Sequence, residues 1–254
     1  MKPKYNFYAT ILDSFQNYLD RAELYQKYYG FSETPPYTEV EWDEKMEREL
    51  IDKINRVPFE SEAADKGTAF NEVVDCIIEN RKSSIINVEK VFSEPHGIEP
   101  NSGEVFNSNL IALKATYKTN TFEFPIYLCR EFANYFKGAL TQQRVSGLIE
   151  TCYGIVEVYG VIDELMPLSI HDIKTTSKYE AFKYKSGWQH IVYPYCTGIN
   201  DFEYNITDFK DTYTEKYVFD KINDTERLKK HCQSFIEFIS LNKNLITDNK
   251  IFNI

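Results

Sequence analysis

The chain has 254 residues and a net charge of −10, with 43% hydrophobic and 27% charged residues. This composition is typical of a soluble globular protein, and the length suffices for one large domain or two small ones. No apolar run approaches the roughly 18 residues that a membrane-spanning helix needs, so the sequence predicts no membrane segment.

Helical periodicity and helix-breaking residues divide the first part of the chain. Apolar positions at helical spacing predict a helix over residues 10–29 that ends at Gly30. A Pro-Pro pair predicts a loop over residues 31–42, and a charged helix is predicted over residues 43–55. Another helix is predicted over residues 63–81. Its apolar face is expected to consist of Ala69, Phe70, Val73, Val74, Ile77 and Ile78.

Strands are predicted to dominate the middle of the chain. Turn-forming residues predict a loop over residues 93–108, and a β-hairpin follows over residues 109–128. A short helix is predicted over residues 130–140. Residues 142–165 then predict two further strands, separated at Tyr153-Gly154.

Predicted strands and predicted helices alternate in the last part of the chain. Residues 168–176 predict a strand, and residues 179–198 predict a helix interrupted near Pro194. Later strands are expected within residues 202–220, and a final helix is expected from Thr225.

This order of elements predicts an α/β (α+β) fold, with a central mixed β-sheet flanked by helices. We expect a single domain over residues 1–254. Within it, residues 1–60 would form a helical N-terminal part, residues 61–200 the core, and residues 201–254 the C-terminal strands and helix.

Charged residues interrupt two consecutive predicted strands in the stretch GVIDELMPLSIHDIKTT, residues 160–176. Asp163 ends the first strand, and Asp172 and Lys174 lie two positions apart in the next. Side chains alternate along a strand, so Asp172 and Lys174 are expected on one face, with His171 and Ile173 on the other. If the strands are neighbours, the two carboxylates and the ammonium group converge. Two carboxylates can hold Mg²⁺ or Mn²⁺ for phosphodiester hydrolysis, and a lysine can orient the attacking water.

These residues and three further blocks resemble the PD-(D/E)XK nuclease superfamily, in particular its RecB-like exonuclease branch. KGTAFNEVVD, residues 66–75, is similar to the upstream helix of that branch. VYGVIDEL is similar to the strand that ends in the first aspartate, and WQHIVYPYC matches the Q-x-x-x-Y helix through Gln189 and Tyr193. The blocks occur in the family's order between residues 66 and 196. The tripeptide Asp-Ile-Lys alone is unspecific, whereas the ordered combination is specific.

The resemblance implies a restriction-endonuclease-like core with an N-terminal helical extension, and it implies roles for particular residues. Asp163 and Asp172 would be metal ligands, and Lys174 would be the catalytic lysine. Gln189 and Tyr193 would line the site and contact the nucleic acid or the catalytic groups.

One position departs from the family pattern. The residue four positions after Gly67 is Asn71, where the family usually has His or Glu, and Glu72 follows it. An Asn can ligate a hard cation through its amide oxygen but brings no charge. Glu72 could take its place if the helix were rotated by about 100°. This position leaves open whether the site holds one metal ion or two.

A lysine-rich segment follows the motif. Lys178, Lys183 and Lys185 are accompanied by a single acid, Glu180. These lysines are expected to contact a nucleic-acid backbone, although an ordinary solvated lysine face fits the pattern equally well.

Each motif residue also has a structural interpretation. Asp163 could cap a turn, Asp172 and Lys174 could form a surface ion pair, and Tyr193 could be a packed core residue beside a surface Gln189. Asn71 and Glu72 could belong to the polar side of an amphipathic helix.

Cysteine usage predicts the compartment. The five cysteines are scattered and contain no C-x-x-C pair, which favours reduced thiols over disulfides, zinc or an iron–sulfur cluster. The first residues also lack the apolar region of a secretory signal, so a cytoplasmic location is expected.

The leading functional hypothesis is a Mg²⁺- or Mn²⁺-dependent deoxyribonuclease, an exonuclease acting in recombination, repair or phage DNA processing. The chain has no P-loop motif, so such an enzyme would act alone or with a separate helicase or annealing protein. The alternative is a nuclease-fold module with a weakened site that binds nucleic acid or a protein partner. A small-molecule hydrolase is not favoured, because no G-x-S-x-G motif occurs.

Overall fold

Two β-sheets and the helices packed against them make up residues 2–94 and 108–252, which the computed structural model of the chain describes. The helices are α1 (Ala9–Leu19), α2 (Arg21–Tyr29), α3 (Glu39–Ile54), α4 (Glu62–Ile78), α5 (Ile126–Tyr135), α6 (Gln189–Thr197) and α7 (Asn223–Leu241). The strands are β1 (Tyr5–Tyr8), β2 (Asn87–Phe92), β3 (Leu110–Tyr117), β4 (Asn120–Pro125), β5 (Leu140–Thr151), β6 (Gly154–Leu165), β7 (Ser169–Thr175), β8 (Asp201–Thr207) and β9 (Thr212–Val218). Short 3₁₀ turns follow at Lys243–Leu245 and Asn249–Ile251. The fold is α+β, which confirms the predicted fold class.

The larger sheet is mixed and six-stranded, with the order β1-β6-β7-β8-β9 and with β5 also paired to β6. The β1–β6 and β7–β8 pairs are parallel, and the remaining pairs are antiparallel. A second, three-stranded antiparallel sheet has the order β2-β3-β4. The sequence predicted the hairpin of β3 and β4 but neither β2 nor the separation of this sheet from the first.

A fork in the larger sheet creates the space for a site. Strand β5 pairs with one edge of β6 along nearly its whole length. On the other edge, β1 pairs with β6 only up to Tyr8 and Tyr159, whereas β7 pairs with β6 only at Glu164 and Leu165. The stretch of β6 between these contacts, residues 160–163, therefore has an edge that no strand covers.

Two hydrophobic clusters hold the layers together. One contains buried residues of β1, β6, β8, α1, α6 and α7, with Phe7, Phe15 and Phe235 among its largest side chains. The other joins α4 and α5 to the second sheet and to Ile173 of β7. Strand β7 thus has an apolar cluster on each face, and burial of this kind is the dominant stabilising term in a fold of this size.

Helix α4 packs close to β7 because Gly67 has no side chain. A Cβ atom at this position would lie 3.0 Å from Thr175 Oγ1. Of the predicted apolar face of α4, Ala69, Phe70, Val73 and Val74 are buried, whereas Ile77 is 36% exposed. The close packing brings the next turn of the helix, which carries Asn71, beside the uncovered part of β6.

The N-terminal boundaries differ from the prediction in three places. Residues 5–8 form a strand, which the sequence did not indicate because four residues are too few for a clear alternation. The predicted helix over residues 10–29 is two helices, broken at Asp20. The predicted loop over residues 31–42 is too long, because Thr38 and Glu41 form a reciprocal cap that starts α3 at Glu39.

The predicted helix over residues 179–198 is the largest error. Only Gln189–Thr197 is helical, and Pro194 lies inside this helix without interrupting it. The preceding segment forms successive turns, with bonds such as Lys183 N to Glu180 O and Gly187 N to Tyr184 O. Stacking of Tyr179 on Tyr213, with 4.3 Å between ring centroids, holds the segment against β9 in place of helical hydrogen bonds.

Other boundaries shift by a few residues. The helix predicted over residues 130–140 spans Ile126–Tyr135, and the helix predicted over residues 63–81 ends at Ile78. The final helix begins at Asn223 instead of Thr225. Residues 95–107 of the predicted loop over residues 93–108 lie outside the described residues. No helix in the described part of the chain is long and apolar enough to cross a membrane.

Candidate active site

A cavity of about 500 Å³ lies at the fork between β6 and β7. Six residues that the sequence motifs single out line it: Asn71, Asp163, Asp172, Lys174, Gln189 and Tyr193. They come from α4, β6, β7 and α6, so the fold brings three elements that follow one another in the chain together with a helix far upstream.

Asp172, Lys174, Gln189 and Tyr193 form one connected polar group. Lys174 Nζ lies 2.6 Å from Asp172 Oδ2 in an ion pair and donates to Gln189 Oε1 at 2.7 Å. Gln189 Nε2 donates to Asp172 Oδ1 at 2.7 Å and is 3.0 Å from the hydroxyl of Tyr193. Asp172 is 2% exposed, so the alternative of a surface ion pair is wrong. Gln189 bridges the acid and the lysine and fixes their relative position.

Asp163 lies where the two strands diverge. Its Oδ2 atom accepts hydrogen bonds from the backbone N–H of Ile173 at 2.8 Å and from Asn71 Nδ2 at 3.2 Å. The carboxylate thus occupies the place of the missing β6–β7 ladder bond and holds the fork open. Burial and, next, the negative charge of Asp172 raise the pKa of Asp163 to about 8. The two acids are close enough to affect each other, as the sequence predicted.

Lys174 remains a cation in this environment. Burial lowers the pKa of Lys174, but the charges of Asp172 and Asp163 act in the opposite direction and leave it above its ordinary value. The ammonium group compensates part of the negative charge of the two carboxylates. His171 and Ile173 face the other side of β7, where His171 Nδ1 lies 3.1 Å from Asn205 Oδ1 and Ile173 joins the second apolar cluster. The predicted division of β7 into two faces is correct.

Tyr193 fits into the site because residue 160 is a glycine. A Cβ atom on Gly160 would overlap Cε1 of the Tyr193 ring, so no other residue fits at this position without moving the tyrosine. Burial raises the pKa of Tyr193, so its hydroxyl stays protonated. The pair fixes α6 against β6 and thereby positions Gln189, which lies one helical turn before Tyr193.

Asp13 of α1 anchors the start of α6, which the sequence did not reveal. Its carboxylate accepts a hydrogen bond from the backbone N–H of Trp188, the residue before Gln189. The indole of Trp188 also donates to Gln16 Oε1 at 3.2 Å. An acidic group at a helix N-terminus stabilises that end. Asp13 carries no motif, and its role depends on a contact that spans 175 residues.

The structure distinguishes the two candidates on α4. Asn71 lines the cavity and contacts Asp163, and its Oδ1 atom is buried without a hydrogen-bond partner among the described residues. Glu72 forms an ion pair with Arg81, with oxygen–nitrogen distances of 2.6 Å and 3.1 Å. Glu72 does not line the cavity, so the suggestion that it replaces Asn71 as a ligand has no geometric support.

Substitutions at these two positions are expected to have different effects. Asn71→Glu or Asn71→His would place a charged or imidazole ligand beside Asp163, so Mn²⁺ should bind more tightly and at lower concentration. Glu72→Gln should leave Mn²⁺ binding unchanged and should destabilise the fold through its loss of charge against Arg81. Calorimetric titration with Mn²⁺ measures the first effect, and urea unfolding measures the second. If Glu72→Gln binds Mn²⁺ more weakly and Asn71→His binds it like the wild type, then Glu72 and not Asn71 is the residue of α4 that contacts the metal.

The predicted lysines do not line the cavity. Lys178, Lys183 and Lys185 lie on the exposed turns before α6. Lys183 Nζ donates to Thr176 Oγ1 at 2.7 Å, and Lys178 Nζ is 3.7 Å from a carboxylate oxygen of Glu180. They remain candidates for outer contacts with a ligand.

Two arginines that the sequence reasoning missed do line the cavity. Arg56 follows α3 and lies over the ring of Tyr8, whereas Arg144 is on β5 and lies over the ring of Tyr159. Neither arginine belongs to a recognisable motif. Arg144 is one of the outward-facing positions of an alternating strand, which are usually solvated, so its place at the cavity depends on the pairing of β5 with β6.

The side chains at the fork carry oxygen atoms of the class that binds divalent cations. Asp163, Asp172 and the unpartnered Oδ1 atom of Asn71 are the hard oxygen donors that Mg²⁺ and Mn²⁺ prefer. Within residues 2–94 and 108–252, no group of three or more His, Cys, Asp or Glu side chains has an arrangement that could hold a metal ion. The donor set at the fork has two acids and an amide, and so differs from such a group.

Comparisons with known proteins give little similarity. No protein-family model and no curated protein matches the chain. One solved structure, described as "Crystal structure of SSO0001", is similar with a TM-score of 0.37 and 12% sequence identity. That alignment covers 44% of this chain and 55% of the other, so the chain spans about half the length of that structure.

Proposed function

We propose that the chain is a metal-dependent nuclease of the PD-(D/E)XK type that hydrolyses DNA phosphodiester bonds. The observation that carries the proposal is the convergence of Asp163, Asp172, Lys174 and Gln189 on one cavity at the sheet fork. The order of the motifs along the sequence and their resemblance to the RecB-like branch add support. An exonuclease in recombination, repair or phage DNA processing, working alone or with a separate helicase or annealing protein, fits that resemblance best.

The side chains divide the work in this proposal. Asp163 and Asp172, with Asn71, would hold Mg²⁺ or Mn²⁺. When bound, the ion would polarise the phosphoryl oxygen and lower the pKa of a water molecule. Lys174, which remains charged, would orient the attacking water and stabilise the negative charge that develops on the phosphoryl oxygens. Gln189 would keep Lys174 and Asp172 in place through its two hydrogen bonds.

Cleavage of labelled linear DNA tests the proposal. Wild-type protein should degrade single-stranded or duplex DNA in the presence of Mg²⁺ or Mn²⁺, but not with EDTA, and Asp172→Ala should be inactive. Parallel reactions with RNA, circular DNA and DNA labelled at either end would establish the substrate, the need for an end, and the polarity. If wild type and Asp172→Ala are equally inactive on every substrate with either metal, the nuclease proposal is wrong.

The second candidate is a nuclease-fold module that binds nucleic acid or a protein without cleaving it. Asn71 favours it, because a neutral amide replaces a charged or imidazole ligand at this place. The ion pair between Lys174 and Asp172 also favours it, because the ammonium group compensates one of the two carboxylates without a metal. DNA binding by a wild-type protein that cleaves no substrate would support this candidate.

The lysines before α6 provide a separate prediction about DNA binding. Changing Lys178, Lys183 and Lys185 to Glu should weaken DNA binding without altering sequence preference, because backbone contacts carry no sequence information. Each lost phosphate contact should reduce the slope of log affinity against log salt by about 0.7 to 0.9. Fluorescence anisotropy over a salt series measures both quantities. Lys221→Glu, an exposed change before α7, is the control. If the triple variant binds DNA as tightly as the wild type, the DNA binds to another part of the surface.

A further inference from the structure

We propose that an arginine–tyrosine wall, formed by Tyr8, Arg56, Arg144 and Tyr159, binds a phosphate of the nucleic-acid strand next to the bond that the acids cleave. The inference rests on the proposed nuclease function and adds a substrate-binding subsite to it. All four residues line the same cavity as Asp163 and Asp172.

Strand pairing places the wall directly along the sheet from the acids. Tyr8 is the register partner of Tyr159, and their ring centroids are 6.1 Å apart. Arg144 is opposite Val161, which lies between Tyr159 and Asp163 on β6. Because side chains alternate along a strand, Tyr159, Val161 and Asp163 share one face, at intervals of about 7 Å. The wall therefore continues the face that ends in the first carboxylate.

Arg144 is the main cation of the wall. Its guanidinium carbon lies 5.2 Å from the ring centroid of Tyr159, and its side chain is exposed to solvent. Among the described residues, no carboxylate lies within ion-pair distance of Arg144, whereas most other arginines here have such a partner, for example Arg21 with Asp43. The position of Arg144 is therefore supported by the tyrosine, and its hydrogen-bonding edges remain available.

Arg56 adds a second, fixed guanidinium. Its Nε atom pairs with Asp248 at 2.7 Å, and its Nη2 atom lies 3.4 Å from the hydroxyl of Tyr159. It also lies over the ring of Tyr8, at 5.4 Å from the centroid. These contacts hold the side chain in one position, so little conformational entropy is lost when it binds a ligand. Asp248 neutralises part of its charge, which makes it a weaker anchor than Arg144.

A phosphate needs positive groups in this cavity, because the acids at the fork would otherwise repel it. A phosphate that approaches the site meets the charged carboxylate of Asp172 beside the acid Asp163, and Lys174 is already paired with Asp172. In a chain with a net charge of −10, the wall is where the cavity offers a positive group that is not engaged by the acids. Guanidinium groups bind phosphate through parallel hydrogen bonds, and tyrosine hydroxyls can donate further ones.

The ligand class is a phosphate on a nucleic-acid strand. The separation between Val161 and Asp163, about 7 Å along the strand, is of the order of the distance between adjacent phosphates on one nucleic-acid strand. The phosphate on the wall would therefore lie one or two nucleotides from the cleaved bond. It could be a terminal monophosphate or an internal phosphodiester, and these sources differ in how binding responds to phosphorylation of the end.

Binding measured without cleavage tests the inference. Dye-labelled oligonucleotides with a 5′ phosphate, a 3′ phosphate or no terminal phosphate are titrated with wild type, Arg144→Gln and Arg56→Gln in EDTA. Arg144→Gln should weaken binding about tenfold and lower the salt slope by about one. Arg56→Gln should weaken it less. Arg130→Gln, which removes an exposed arginine on α5, is the matched control and should bind like wild type.

The outcomes separate this inference from the nuclease proposal. Loss of affinity in Arg144→Gln for one phosphorylated oligonucleotide alone identifies a terminal phosphate, and an equal loss for all three identifies an internal one. Binding by Arg144→Gln that equals that of Arg130→Gln overturns the inference, even if the wild type cleaves DNA. Arg144-dependent binding in a wild type that cleaves nothing supports the wall and rejects the nuclease. If the wild type binds none of the oligonucleotides, the inference is overturned.

Discussion

Replacing Asp172 with Asn is expected to reduce DNA cleavage by roughly 10³-fold or more, because a well-placed metal ion contributes several kcal/mol to the transition state. Asn keeps the shape of the side chain and removes its charge. The change also removes the negative charge that pairs with Lys174, whose Nζ atom lies 2.6 Å from Asp172 Oδ2, and so weakens that contact. Initial rates on labelled linear DNA in Mn²⁺ measure the effect.

A matched control separates the loss of the ligand from a general effect of the substitution. Asp201→Asn makes the same chemical change at an exposed position at the start of β8 and should cleave at the wild-type rate. Circular dichroism should give the same helix and strand content for all three proteins. If Asp172→Asn retains at least a tenth of the wild-type rate, Asp172 is not a metal ligand in the reaction.

Replacing Asp163 with Asn is expected to stabilise the metal-free protein and to change how its stability depends on pH. Burial and the charge of Asp172 raise the pKa of Asp163 from 3.8 to about 8. Between these values the folded state binds the proton more tightly than the unfolded state. The contribution of Asp163 to stability is therefore complete below about pH 4 and is lost as the pH rises through about 8.

The Asn variant has no such loss, so its free energy of unfolding should vary less between pH 5 and 9. At pH 8 it should exceed that of the metal-free wild type by several kcal/mol, since a shift of about four pKa units at about 1.4 kcal/mol each sets the upper limit. Urea unfolding in EDTA across this pH range measures the difference. In saturating Mn²⁺ the wild type should be the more stable of the two proteins, because metal binding to the folded state stabilises it. Identical pH profiles for the two proteins would contradict the coupling between the acids.

Local periodicity accounts for the part of the site that was predictable. Alternation along one strand was sufficient to place Asp172 and Lys174 together and His171 on the opposite face. The one-turn spacing of Gln189 and Tyr193 was sufficient to put both on the same side of α6. Asn71 was recognised by its distance from Gly67, and the close approach of that glycine to Thr175 explains why the spacing matters.

Contacts between distant segments account for the part that was not predictable. Tyr8 meets Tyr159 only because β1 pairs in parallel with β6, and four residues of strand carry too little pattern to reveal such a pairing. The places of Asp13 and Arg144 also depend on tertiary contacts. The turns before α6 were mistaken for helix because their apolar and charged residues have helical spacing, whereas tyrosine stacking against β9 determines the conformation.

Diffraction from a crystal soaked in Mn²⁺, measured near the manganese absorption edge, tests the central claim most directly. The account predicts an anomalous peak at the fork, coordinated by carboxylate oxygens of Asp163 and Asp172 and adjacent to Asn71. The number of peaks there would also establish whether the site holds one ion or two. An anomalous map with no peak at these two carboxylates, from a crystal that binds Mn²⁺ elsewhere or not at all, would contradict the account.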